Sequence, residues 1–179
     1  MEIVKTPIEG LVIIQPKVFE DERGYFMESY KESFIKDNFP DIHFIQDNES
    51  QSSYSVFRGF HFQKKPYEQT KLVRVIEGKI QDVVVDLRKN SKTYLQSFSI
   101  LLDSNSKRQL LIPKGFAHGF LTLSKKAVLQ YKVDTYYAPK YDSGINIDSP
   151  FLNVEWKIDR AKIFTSKKDK LLKPNFKSL

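Results

Sequence analysis

Short runs that alternate apolar and polar residues, broken by tight turns, constrain this chain more than any other feature. Residues 72–86 read as two strands separated by a turn at Glu77-Gly78. Residues 97–102 and 109–113 read as two more, with a polar stretch at 103–107 between them, and residues 128–133 alternate again. A period of two sends successive side chains to opposite faces, so each run offers one face to a core. Many short strands at such spacing predict an all-β sandwich or barrel. Residues 31–38 predict a short helix that ends at Phe39-Pro40, and residues 159–172 carry weak helical character ahead of Pro174. With no repeat, low-complexity segment or linker, the expectation is a single domain spanning residues 1–179.

Composition narrows the classes. The chain has 179 residues, enough for one real core, and its 40% hydrophobic content is ordinary for a globular protein. No apolar run approaches the ~20 residues that span a bilayer, and the first residues lack the apolar core of a signal peptide. Without cysteine there is no disulfide, thiolate nucleophile or Cys-ligated metal. A cytoplasmic protein with no membrane contact is the expectation. The net charge of +7 raises nucleic acid as a partner, but residues 160–179 hold Arg160 and six lysines against Asp169 alone. The excess is therefore a basic C-terminal tail, which reads as a solvated surface, and no nucleic-acid partner is expected. Neither a phosphate-binding loop nor a Gly-x-Ser-x-Gly elbow is present, which argues against ATP-driven chemistry, a dinucleotide cofactor and common serine hydrolysis.

The chemistry-bearing residues concentrate in two segments. Arg58-Gly59-Phe60-His61-Phe62-Gln63, followed by Lys71, sets one of only three histidines among strand-forming residues near two cations. An imidazole can take and return a proton near neutral pH, and a cation can hold charge that develops on oxygen when a proton leaves carbon. The second segment, Pro113-Lys114-Gly115-Phe116-Ala117-His118, marks a tight turn followed by a histidine and resembles part of the second signature of the cupin barrel. Metal-binding cupins place His-x-His and a glutamate earlier in the chain. Here that place reads His61-Phe62-Gln63, with Glu68 nearby, and His43 lies apart in a segment that looks like a strand edge. Two imidazoles are too few for a usual catalytic metal, so no metal is expected. Taken singly, each residue also has a structural reading: His61 as a hydrogen-bonded strand residue, Arg58 and Lys71 as strand-face charges, Tyr131 as core, Asp169 as a solvated tail residue.

Several segments together, in order and spacing, resemble the dTDP-4-dehydrorhamnose 3,5-epimerase family. They are residues 19–29 (Phe19 to Ser29, including Arg23-Gly24-Tyr25-Phe26), Gln46-Asp47-Asn48-Glu49-Ser50, residues 56–63, Gln69-Thr70-Lys71-Leu72-Val73, residues 82–88, residues 112–120 and Tyr136-Tyr137-Ala138-Pro139. The resemblance implies a cupin-like jelly-roll β-barrel with short peripheral helices. It implies a cofactor-independent isomerase that inverts C3 and C5 of a dTDP-linked 4-keto-6-deoxy hexose through an enolate, in dTDP-rhamnose and polysaccharide biosynthesis.

The resemblance also implies roles. His61 corresponds to the general base, Asp169 to its carboxylate partner, Lys71 to the cation at the C4 oxygen and Tyr131 to the acid on the opposite face. Arg23, Phe26 and Glu28 correspond to a segment that reaches the nucleotide, in part from the neighbouring subunit of a homodimer. Gln46 and Asn48 correspond to nucleotide or sugar contacts, Arg58 to a diphosphate contact, His118 to a residue near the sugar, and Asp142 and Lys168 to further substrate contacts. The sequence departs from the family pattern at Asp142, where a glutamate is usual, at Trp156-Lys157, where Trp-Pro is frequent, and at Phe57 and Phe60, where leucines are common. The alternatives are a 3-epimerase, a 3,5-epimerase acting on another nucleotide sugar, a non-catalytic sugar-binding cupin and a metal-dependent cupin oxygenase.

Overall fold

The computed structural model describes residues 1–173; Pro174 and the end of the basic tail lie outside the described residues. In chain order the strands begin with β1 (Glu2–Lys5), β2 (Val12–Gln15) and a separate hairpin of β3 (Val18–Asp21) and β4 (Gly24–Met27). Helix α1 (Glu32–Asn38) follows, then β5 (Gln46–Ser53), β6 (Phe57–Gln63), β7 (Lys71–Glu77), β8 (Lys79–Asp86) and β9 (Ser97–Asp103). The remaining elements are β10 (Gln109–Ile112), β11 (Phe116–Thr122), β12 (Lys126–Val133), the short β13 (Asp142–Gly144) and α2 (Lys167–Lys170).

Two antiparallel sheets face each other: a six-stranded sheet ordered β1-β2-β10-β7-β12-β5 and a five-stranded sheet ordered β13-β6-β11-β8-β9. Most consecutive strands from β5 to β12 cross between the sheets rather than pairing, which is the jelly-roll pattern. The two strands expected at residues 72–86 are an instance. They are β7 and β8, and the Glu77-Gly78 turn is a corner that carries the chain from one sheet to the other. Gly78 makes that corner possible. Its φ is +83°, and a Cβ there would lie 2.2 Å from the Lys126 carbonyl oxygen.

The alternation read in the sequence is the reason for the layers. Val73, Val75, Leu110, Ile112 and Leu129 from the six-stranded sheet meet Ile80, Val84, Leu102, Phe116 and Phe120 from the other. Fully burying such side chains contributes about 1.5–3 kcal/mol each. The outer face of the five-stranded sheet is also apolar, and residues 145–163 cover it with Ile145, Ile147, Ile158 and Ile163. On the six-stranded sheet, Val12, Ile14, Leu72 and Leu111 lie under Ile35 of α1. The helix ends where Phe39-Pro40 implied, with the Phe39 N–H donating to the Ile35 carbonyl. One local expectation is corrected: His43 is not on a strand edge but in the loop before β5, 3.9 Å from Glu32. In residues 159–172, regular helix is confined to the four residues of α2 and a single turn at Arg160–Lys162. Among the described residues, no helix is long and apolar enough to cross a membrane.

Candidate active site

A cavity of about 550 Å³ opens between the two sheets, and its walls include Arg58, His61, Lys71, His118, Tyr131, Lys168 and Asp169. In a regular strand Arg58 and His61, three residues apart, would point to opposite faces. They line one cavity because the β6–β11 ladder slips: His118 pairs with His61, but Phe120 pairs with Arg58. Two residues of β6 thus stand against one of β11, and this bulge re-aims the side chains. Gly59 permits it, with φ at +138° and space so tight that a Cβ would fall 2.4 Å from Gly119 Cα.

His61 and Asp169 lie 108 positions apart in sequence, yet His61 Nε2 is 2.8 Å from Asp169 Oδ1. The histidine side chain is 35% exposed toward the cavity and the aspartate only 5%. Burial pushes the Asp169 carboxyl up, but bonds from His61, the Ser166 hydroxyl and the Gly59 N–H outweigh this and hold it below the usual carboxylate range. An ionised Asp169 accepts the Nε2 proton of His61. The ring's lone pair is then on Nδ1, the form of imidazole that can take a proton.

The opposite wall is the six-stranded sheet. Tyr131 pairs with Asn48 on one side and Val73 on the other, and Val133 pairs with Gln46 and Lys71. Cross-strand partners share a face, so Gln46, Asn48, Lys71 and Tyr131 all point inward, but of these only Lys71 and Tyr131 line the cavity. The Gln46 amide donates to Asn48 Oδ1 at 2.8 Å. Burial pushes the Tyr131 phenol up, partly offset by Arg58, so the hydroxyl keeps its proton at neutral pH. Burial pushes the Lys71 amine down to about 8, against the opposing pull of Asp82 and Asp142. Arg58 donates to the Ser52 hydroxyl at 2.8 Å and to the Gln51 carbonyl at 3.1 Å, which fixes its planar fork at the cavity wall.

Lys168 and Asp142 meet at a neighbouring cleft that shares His61, Lys71 and Tyr131. The Lys168 ammonium is 2.6 Å from Asp142 Oδ2, which also accepts from the Tyr137 hydroxyl at 3.1 Å. Three further anticipated residues are elsewhere. Arg23, Phe26 and Glu28 belong to the β3–β4 hairpin and the residues just after it, where Arg23 pairs with Asp21 and Glu28 with Lys31. Phe26 is 67% exposed. None of the three lines this cavity.

Sequence reasoning missed Asp82, a fully buried carboxylate that takes His118 Nε2 at 2.9 and 3.0 Å. A lone aspartate inside an apolar strand run was the available signal, because a charge there demands a partner. Gln63, at the place of a metal-binding cupin's second histidine, is committed to structure. Its amide donates to the Tyr67 and Tyr136 carbonyls and accepts from the Ala138 N–H. Among the described residues no three His, Asp or Glu side chains are grouped to hold a metal ion.

Fold and site together define a cupin-like jelly-roll protein whose cavity sets an imidazole–carboxylate pair against a phenol and a lysine. Residues 5–177 match the family model described as dTDP-4-dehydrorhamnose 3,5-epimerase. The chain is 47% identical over 173 residues to the dTDP-4-dehydrorhamnose 3,5-epimerase of Methanothermobacter thermautotrophicus, covering 96% of this chain and 92% of that protein. Its structure resembles the dTDP-4-dehydrorhamnose 3,5-epimerase of Elizabethkingia anophelis NUHP1, with TM-score 0.91, 44% identity and coverage of 96% and 94% of the two chains. It also resembles a dTDP-6-deoxy-D-glucose-3,5-epimerase of Legionella pneumophila in complex with dTDP-4-keto-L-rhamnose, with TM-score 0.89, 40% identity and coverage of 94% and 89%. The chain belongs to the dTDP-4-dehydrorhamnose 3,5-epimerase family, whose members are isomerases.

Proposed function

We propose that this protein, acting as a single domain over residues 1–179, epimerises C3 and C5 of dTDP-4-dehydro-6-deoxy-D-glucose to give dTDP-4-dehydro-L-rhamnose. The observation that carries the reading is the placement of His61 and Tyr131 on opposite sheets across one cavity, with Lys71 beside Tyr131. Inversion at carbon needs a base on one face and an acid on the other.

The ketone at C4 acidifies the hydrogens on C3 and C5. His61 Nδ1 takes one of them, and the electron pair of the broken C–H bond moves into the ring as the C4 oxygen becomes an enolate. Lys71 donates a hydrogen bond to that oxygen, and Asp169 stabilises the imidazolium. Tyr131 then delivers its proton to the carbon from the far side as the ketone re-forms, and the tyrosinate recovers a proton released from His61. Every electron stays within the sugar, so the cycle calls for no redox partner. Arg58 and Lys168 supply cations for the diphosphate region. Gln46, Asn48 and His118 offer hydrogen bonds to the sugar or base.

The reading extends to a homodimer. Phe19, Tyr25 and Phe26 of the β3–β4 hairpin are each more than half exposed. Arg74 sits half-buried on the outer face of the six-stranded sheet, where it makes no hydrogen bond or ion pair among the described residues, and burial lowers its pKa. A second copy laid on this face covers the aromatics and brings its own Arg23, Phe26 and Glu28 to the nucleotide end of the cavity. A cytoplasmic location fits a substrate made from nucleotide sugars. The direct test is incubation of the pure protein with dTDP-4-dehydro-6-deoxy-D-glucose in D2O. Deuterium at C3 and C5, with the product trapped by reduction as the L-rhamno sugar, is the expected result; no exchange at either carbon would overturn the reading.

A further inference from the structure

The carboxylate that completes the His61 pair is delivered by α2, a helix of only four residues. A helix this short has no stability of its own, so its position is set by what holds it. Upstream, residues 164–166 tie it down: the Phe164 carbonyl accepts from the Phe57 N–H, the Phe164 N–H donates to the Ser55 carbonyl, and the Ser166 hydroxyl caps the Asp169 N–H. These bonds hold the start of the helix and do not reach its far end.

The far end is seated on residues 142–146. Asp142 accepts from Lys168 at 2.6 Å, Asn146 Nδ2 donates to the Leu172 carbonyl at 2.9 Å, and Leu172 lies over Gly144. A Cβ at Gly144 would come within 2.7 Å of Leu172 Cδ1. The first three residues of this strip are β13, and Gly144 is the register partner of His61. The seat for the helix and the strand that carries the base are therefore neighbours in one sheet.

We infer that residues 142–146 are a dock for the C-terminal helix, and that Asp142 and Asn146 are positioning residues which hold Asp169 against His61. This rests on the assignment of His61 as the base and deepens it: the ligand contact that resemblance gives to Asp142 is replaced by a role exercised through α2. Lys168 is 65% exposed and Asp142 only 17%, so the ion pair alone contributes little. The dock works by the sum of its ion pair, its amide bond and its apolar seat.

The test uses the full chain carrying Asp142→Asn with Asn146→Asp. The second change keeps the oxygen that accepts from the Asp148 N–H and removes the donor to Leu172. In ligand-free protein, the imidazole N–H protons held by carboxylates give downfield proton NMR signals, one from His61 and one from His118, and His61→Asn assigns them. The double variant is expected to lose the His61 signal to solvent exchange and keep the His118 signal. In kinetics, kcat for proton exchange at C3 is expected to fall about tenfold, the loss of a charge-assisted and a neutral hydrogen bond, with KM moved less. Asp142→Glu with Asn146 intact, which keeps the ion pair and the amide bond, should leave both readouts near those of the wild type. Added to Asp169→Asn, the two changes should cost nothing further.

A retained His61 signal with wild-type kcat would overturn the inference, as would an effect that multiplies that of Asp169→Asn. If both NMR signals vanish, the variant has lost its fold, and Leu172→Ala, which removes only the apolar seat, is read by the same criteria. If the wild-type protein exchanges no substrate proton, the epimerase reading falls, while the NMR signals still decide whether the dock holds the pair.

Discussion

Among single residues, proton removal and proton return are expected to fall to different groups, His61 and Tyr131. His61→Ala is expected to abolish exchange at both carbons, by at least about a hundredfold, because a general base contributes on that order or more. Tyr131→Phe is expected to leave exchange but lose inversion, since the base can still remove and replace the hydrogen on its own face. Normal epimerisation by Tyr131→Phe would assign the acid to another group. Lys71 sets a pH dependence. Its amine is pushed down to about 8 by burial, so the ammonium prevails at pH 7 and is lost as pH rises through about 8. The pH profile of kcat/KM is therefore expected to fall on an alkaline limb near that value, and Lys71→Arg, which stays protonated, should remove the limb. A profile flat to pH 10 would refute the assignment. Stability runs the other way: between about 8 and the ordinary 10.5 the unfolded chain holds a proton the folded chain has released, so this group's contribution rises with pH.

At the scale of elements, the end of β8 shows how a buried charge organises a loop. Asp86 has no exposed side-chain surface and accepts from the Arg88 guanidinium, the Ser91 hydroxyl at 2.6 Å and the Thr93 hydroxyl at 2.7 Å. Burial pushes its carboxyl up, but these bonds outweigh it and hold the pKa at about 2. The stabilisation is fully present above the ordinary 3.8 and is lost as pH falls toward 2. Asp86→Asn is expected to cost about 2 kcal/mol at pH 7, since it removes the charge that the partly exposed Arg88 guanidinium and two hydroxyls bond at a buried position, and less near pH 2.5, as read by urea unfolding. Equal costs at the two pH values would contradict this. The strands themselves were legible, because residues 128–133 alternate and residues 72–86 hold two apolar runs broken by the Glu77-Gly78 turn. Their sheet was not: a turn such as Glu77-Gly78 reads the same whether the chain turns back beside itself or crosses to the facing sheet. The slip in the β6–β11 ladder that turns Arg58 and His61 to one side leaves only Gly59 as a trace. β13 left none, because Asp142-Ser143-Gly144 has no apolar alternation. His61 and Lys71 could be picked out as chemistry near neutral pH, but their contact with a residue near the end of the chain came only from family resemblance.

At the scale of the whole molecule, the jelly roll supplies two facing walls, and the candidate base and acid occupy one each. The β3–β4 hairpin extends from this body with its aromatics uncovered. The expected species in sedimentation equilibrium is a dimer. Phe26→Ala is expected to weaken dTDP binding by about tenfold or more, the loss of one aromatic anchor. A monomer with undiminished activity would contradict the shared nucleotide site. On this reading one pair of walls inverts two carbons of a single sugar. Proton NMR of dTDP-4-dehydro-6-deoxy-D-glucose incubated in D2O with wild-type protein, and separately with Tyr131→Phe, tests it most directly. Deuterium at C3 and C5 with inversion is expected in the first case, and deuterium without inversion in the second. Exchange at C3 alone would reduce the protein to a 3-epimerase, and the absence of exchange at both carbons would contradict the account.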